Sequence, residues 1–124
     1  MFKNTNAFSG FSVNDISKAK TFYSQTLGLN VTDADGLLQI HFPNGSMIIA
    51  YPKPDHTPAT FTILNFPVDN IDRTVDDLGK LGVRFERYDG LNQDAKGIAR
   101  DGGPVGIAWF KDPAGNILSI LQEA

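Results

Sequence analysis

Few side chains in this chain are of a type that does chemistry, and they stand in contrasting surroundings. Two are histidines. His41 falls in a strand-like run, Leu37 to Phe42, and points with Gln39 to the face opposite Leu38, Ile40 and Phe42. There it, or the Tyr51 hydroxyl, could carry a proton near neutral pH. The plainer reading of His41 is a half-exposed strand residue. His56 sits in a proline-rich stretch and is expected to be solvated. Ser119 is a small polar residue in the middle of an otherwise apolar run, Ile117 to Leu121. Asp76 and Asp77 are adjacent, so a helix turns them to different sides, as solvent-facing charges. No serine, histidine and aspartate follow a nucleophile elbow, and "GLNQDAKGIARDGG" has neither the lysine spacing nor the strand-to-helix setting of a phosphate loop. The absence of cysteine excludes disulfides, a thiolate zinc site and a cysteine nucleophile.

The 124 residues are enough for one domain with a sizeable core, or for two small halves sharing one. A net charge of −3 offers no basic field for nucleic acid or an anionic membrane. No run of the sequence has the length and apolarity of a signal peptide or a membrane span, so the expected location is the cytoplasm.

The elements that would position these residues come in two similar sets. Phe8 to Val13 reads as a strand, Asn14 or Asp15 as a cap, and Ile16 to Leu27 as an amphipathic helix stopped by Gly28. Leu29 to Thr32 is a short strand, "DADG" a turn, and Leu37 to Phe42 and Ser46 to Tyr51 a hairpin around Pro43-Asn44-Gly45. A linker follows over Pro52 to Ala59. The scheme then restarts: strand Thr60 to Phe66, cap Asp69 or Asn70, a helical stripe from Ile71 to Leu81, Gly82, and strand Val83 to Glu86. Arg87 to Pro104 reads as a long loop, and Val105 to Phe110 with Asn116 to Leu121 as the last hairpin. "FSVNDISKAKTFYSQTLGLNV" lies over "FPVDNIDRTVDDLGKLGVRF" with one gap in the helix, and Pro43-x-Gly45 over Pro113-x-Gly115. The pattern is that of an internal duplication.

The first of these segments resembles the opening strand–helix unit of the vicinal oxygen chelate superfamily, and "AWFKDPAGNILSI" resembles its closing hairpin. That superfamily holds glyoxalases, extradiol dioxygenases and bleomycin- and fosfomycin-resistance proteins. The resemblance implies an α+β fold: two βαβββ modules, about 6–51 and 60–122 around linker 52–59, with curved mixed sheets around a shared cavity in a single domain. It also implies a homodimer, and a divalent metal held by a histidine early in a module's first strand and by carboxylates four residues after the turn glycine. Here those places hold Phe8, Ile63, Ile49 and Ser119, so no metal and no cofactor is expected.

Strand alternation gathers the remaining lining candidates. Ser12 goes with Phe8, Met47 and Tyr51 with Ile49, Phe61 and Asn65 with Ile63, and Ile117 with Ser119, while Trp109 adds a stacking wall. Phe11, Val13, Ile48, Ala50, Leu64, Phe66, Leu118 and Ile120 are expected to pack under the helices. Arg87, Tyr88, Asp89, Asn92, Gln93, Arg100 and Asp101 populate a loop able to gate such a cavity, with Gly97, Gly102 and Gly103 as hinges. The expected function is metal-free binding of a small, partly apolar or aromatic ligand, as in bleomycin-resistance-type proteins. The alternatives are a glyoxalase- or dioxygenase-type lyase or oxidoreductase, a metal-independent isomerase using His41 or Tyr51, and an interaction module with a filled cavity.

Overall fold

The computed structural model describes residues 1–101 and 105–124. Gly102 and Gly103, read above as hinges, lie outside the described residues. The chain divides into two compact units, Met1–Thr57 and Pro58–Ala124.

The first unit runs β1 (Ser9–Val13), α1 (Ile16–Thr21), β2 (Asn30–Ala34), β3 (Leu37–His41) and β4 (Met47–Pro52). Its sheet has the order β1-β4-β3-β2, with β1 parallel to β4 and the other pairs antiparallel. Asp15 caps α1, its carboxylate accepting from the Lys18 amide at 3.1 Å. The helix expected as far as Leu27 changes pitch at Phe22–Thr26, which forms one π turn closed by Leu27 N donating to Phe22 O at 2.9 Å. From Ile16 to Gly28 the chain takes one step more than from Ile71 to Gly82, and the wider turn accommodates that extra residue. Tyr23, inside the turn, stays fully buried, with its ring 5.6 Å from that of Phe11. Phe11, Val13, Leu38, Ile40, Ile48 and Ala50 are buried on the face that α1 covers. Each fully buried Leu or Ile among them contributes about 1.5–3 kcal/mol.

The second unit runs β5 (Thr62–Pro67), α2 (Ile71–Lys80), β6 (Gly106–Lys111) and β7 (Ile117–Gln122). Its sheet has the order β5-β7-β6, with β5 parallel and β6 antiparallel to β7. Asn70 caps α2 by accepting from Arg73 N at 3.1 Å, and the Ile71 amide donates to Gln122 Oε1 at 2.9 Å. Ile71, Val75 and Leu78 are the buried stripe of the helix, and Leu118 and Ile120 are buried on one face of β7. The strand expected over Val83–Glu86 shrinks to a single bridge between Phe85 and Phe110. A side chain takes the groups a ladder would use: Gln93 Nε2 donates to the carbonyls of Glu86 (2.9 Å) and Gly97 (2.8 Å), while its Oε1 accepts from Tyr88 N at 2.8 Å. The described residues thus form two α-helices and seven strands in two mixed sheets, an α+β fold.

The repeated turn has the same backbone hydrogen bonds in both units. Gly45 N donates to Phe42 O and Gly115 N to Asp112 O, each at 3.0 Å, and the strand amides Phe42 N and Asp112 N bond back to Ser46 O and Asn116 O. Both glycines sit at positive φ, 87° and 86°, where a Cβ is strained.

Candidate functional site

The register decides which side chains share a face. In the first unit Gly10 pairs with Ile49 and Ser12 with Tyr51, while Gln39 and His41 lie across from Ile49 and Met47. One face therefore carries Ser12, Gln39, His41, Met47, Ile49 and Tyr51. Phe8 precedes β1 and is 64% exposed. His41 is half-buried, and its Nε2 lies 2.9 Å from Thr32 Oγ1. Tyr51 is four residues along β4 from the partner of His41, so the two proton-carrier candidates stand ~13 Å apart by strand rise alone.

His56 departs from expectation. It is half-buried rather than solvated, with Nδ1 2.6 Å from Ser12 Oγ. The turn in which His56 N donates to Lys53 O, and Lys53 N to Val13 O, swings the proline-rich segment back over β1.

In the second unit Asn65 pairs with Ser119, and Ser119 with Trp109. Strict alternation would add Phe61 and Ile63 to this face. The register instead steps between Thr62 and Leu64, so that Thr62, not Ile63, lies against Ile117. An irregularity of this kind breaks the strict alternation of side chains and brings Thr62 beside Ile117. Ser119 is fully buried, and its hydroxyl donates to Asn65 Oδ1 at 2.6 Å.

A pocket of about 270 Å³ opens on this sheet, lined by Thr60, Phe61, Thr62, Tyr88, Trp109 and Ile117. Phe61, Trp109 and Ile117 are among the residues expected to line a cavity; Thr60, Thr62 and Tyr88 are not. Thr62 enters through the register step, and Tyr88 through the chain after the Phe85 bridge. The Tyr88 ring meets Trp109 edge-on, centroids 5.6 Å apart at 77°. Burial, and secondarily the nearby Glu86 carboxylate, raises the Tyr88 pKa above 10.0, so the phenol stays protonated. Glu86 itself pairs with Lys111 at 3.2 Å.

The described part of the long loop is tied down. Arg87 donates to the carbonyls of Asp94 and Ala95 at 2.8 Å, the Asp94 carboxylate accepts from the Lys96 and Ile98 amides, and Arg100 bonds Asp72 on α2 at 3.0 Å. Ile98 and Ala99 are buried, and Ala99 bridges to Ile107.

The donor set does not fit a divalent cation. Phe8, Ile49 and Ile63 have hydrocarbon side chains with no lone pair, and the Ser119 hydroxyl is engaged by Asn65. Among the described residues no three of His, Asp and Glu converge on a point where an ion could sit.

A parallel strand–helix pair followed by a tight-turned hairpin, present in both units, defines an α+β protein built from repeated βαβββ modules. The chain belongs to the glyoxalase/bleomycin resistance protein/dioxygenase superfamily, whose family model matches residues 7–120. No curated protein matches the sequence. Among solved structures it is similar to a glyoxalase/dioxygenase from Nostoc punctiforme (16% identity, 99% of this chain and 94% of that one, TM-score 0.69). It is also similar to an antibiotic-binding protein from Streptomyces sp. CB03234 (22%, 98% and 98%, 0.66) and to a fosfomycin resistance protein from Mesorhizobium loti (13%, 98% and 93%, 0.67). No helix among the described residues is long and apolar enough to cross a membrane.

Proposed function

We propose that this protein binds a small, partly apolar or aromatic molecule without a metal, in the manner that the words "antibiotic binding" describe for its Streptomyces neighbour. The observation that carries the reading is the pocket walled by Phe61, Tyr88, Trp109 and Ile117. Aromatic and aliphatic walls with a few polar points are the usual make-up of a small-molecule site. The hydrocarbon side chains at three of the four family ligand positions favour binding over metal-dependent turnover. The site residues are those of this pocket with Asn65 and Ser119 beside it, and Ser12, Met47, Ile49 and Tyr51 on the first unit's face. The two units act as modules of one domain, and the protein works as a homodimer in the cytoplasm.

Trp109 is the only tryptophan, so its emission reports on the pocket directly. Titration with a naphthalene-sized aromatic probe should give saturable quenching. Native mass spectrometry of the purified protein should show a dimer, and any co-purified small molecule, with no stoichiometric metal. Linear, non-saturable quenching by every aromatic probe tried would sink the reading.

A further inference from the structure

Three residues that line this pocket are aromatic, and two of their rings stand across one another. Trp109 and Tyr88 meet at 77° with centroids 5.6 Å apart, so they make two walls close to a right angle. Phe61, one residue before β5, adds a third ring and is 68% exposed. A phenylalanine that open to water leaves one side of the pocket for a ligand to cover. None of the described lining residues carries a charge, the others being Thr60, Thr62 and Ile117. The Glu86–Lys111 pair acts on Tyr88 from outside the lining. Of the two, the Glu86 carboxylate has the larger effect on the phenol, so the local field is negative on balance.

Resting on the pocket reading above, we propose that Phe61, Tyr88 and Trp109 form an aromatic cage for a quaternary ammonium head group, a trimethylammonium carried on a small molecule. Aromatic rings attract a cation, tryptophan most strongly, and walls set across one another let one head group touch more than one ring. Full methylation follows from what the lining lacks. A primary ammonium brings three N–H donors and needs a carboxylate or several carbonyls to receive them. A trimethylammonium has no N–H, and its methyl groups make the apolar contacts that the rings and Ile117 offer. An anion finds neither lysine nor arginine among the described lining residues. The size agrees. About 270 Å³ falls below the roughly 300–1,000 Å³ of sites that enclose drug-sized ligands, so the pocket takes a head group while the rest of the ligand stays in water.

The test compares choline with 3,3-dimethylbutan-1-ol, which puts carbon in place of the charged nitrogen and keeps the shape. Each carries one set of equivalent methyl protons, so the same ligand-observed NMR titration reads both. Choline is expected to bind the wild type about tenfold tighter than the alcohol. Its methyl signal is expected to move upfield on binding, as protons held over ring faces do. Trp109→Leu is expected to bring the two ligands within about threefold of each other, since only the cation loses its attraction to the ring. Phe61→Leu, at an exposed side chain, is the second variant should the first not fold, and is expected to narrow the preference in the same direction. Equal or tighter binding of the alcohol, or a choline signal that does not move upfield, overturns the proposal. So does a preference for choline that survives in every folded variant, because general attraction to a chain of net charge −3 would give that. The naphthalene-sized probe separates this from the pocket reading. Where that probe binds and choline does not, the cage falls alone; where neither binds, both fall.

Discussion

Ser119 donates its hydroxyl to Asn65 Oδ1 at 2.6 Å, tying the middle of β7 to β5 from a position with no solvent exposure. At the place where the resemblance read from the sequence implies a carboxylate, this chain has a small hydroxyl whose hydrogen bond is satisfied inside its own sheet. Ser119→Ala removes the donor but leaves Asn65 exposed enough to be hydrated. The expected loss is about 1 kcal/mol, the net value of one neutral hydrogen bond, read as a modest drop in denaturant midpoint with an unchanged slope.

The same geometry sets the response to metal. A cation bound to the folded state at 100 times its dissociation constant would add about 2.7 kcal/mol and raise the melting temperature by several degrees. Nickel, zinc or manganese added to dialysed protein is expected to leave the melt unmoved. Ser119→Glu is expected not to change this, because Phe8, Ile49 and Ile63 still offer no donor atom. A saturable upward shift with any of these ions in the wild type would contradict the expectation.

The duplicated plan was legible because it rests on local signals: caps at Asp15 and Asn70, glycines after the helices, and the same turn at Gly45 and Gly115. Even the one-residue gap in the helix has a physical counterpart in the π turn at Phe22–Thr26. What escaped is what side chains do at long range. Gln93 occupying Glu86 O removes a strand that propensity favours over Val83–Glu86. His56 reaches Ser12 across 44 residues, which no periodicity encodes. The step between Thr62 and Leu64 moves Thr62 into the pocket and Ile63 out of the alternation, because β5 must fit its register to Ile117 and Leu118 of β7. Tyr88 joins the pocket lining from the chain that follows the single Phe85–Phe110 bridge.

The second turn differs from the first in one respect that stability should reveal. Asp112 is 5% exposed and accepts from Ala114 N at 2.9 Å, Asn116 N at 2.8 Å and Asn116 Nδ2 at 3.1 Å. At the first turn the comparable role falls to Asn44, an exposed side chain accepting from Ser46 N and Oγ. Asp112→Ala removes the acceptor of three hydrogen bonds, one of them from the buried Asn116 side-chain amide. It is expected to cost about 2–3 kcal/mol in urea unfolding, against about 1 kcal/mol for Asn44→Ala. Equal costs would mean that the buried network adds nothing beyond the turn itself.

Asp94 gives the long loop a definable pH response. Burial opposes its charge, but the Ile98 and Lys96 amides (2.9 Å each) and the Arg100 guanidinium (3.3 Å) outweigh that and hold the carboxyl below the ordinary value near 3.8. In the unfolded chain the group protonates at the higher, ordinary value. The stability it contributes is therefore complete above that value and is lost as pH falls through the depressed folded one. Asp72 shares Arg100 and keeps the guanidinium in place. Asp94→Asn is thus expected to melt below the wild type by a constant margin between about pH 7 and pH 5, and the margin should close at acid pH below about 4. A margin that widens on acidification would show that the Asp94 carboxyl is disfavoured, not favoured, by its surroundings.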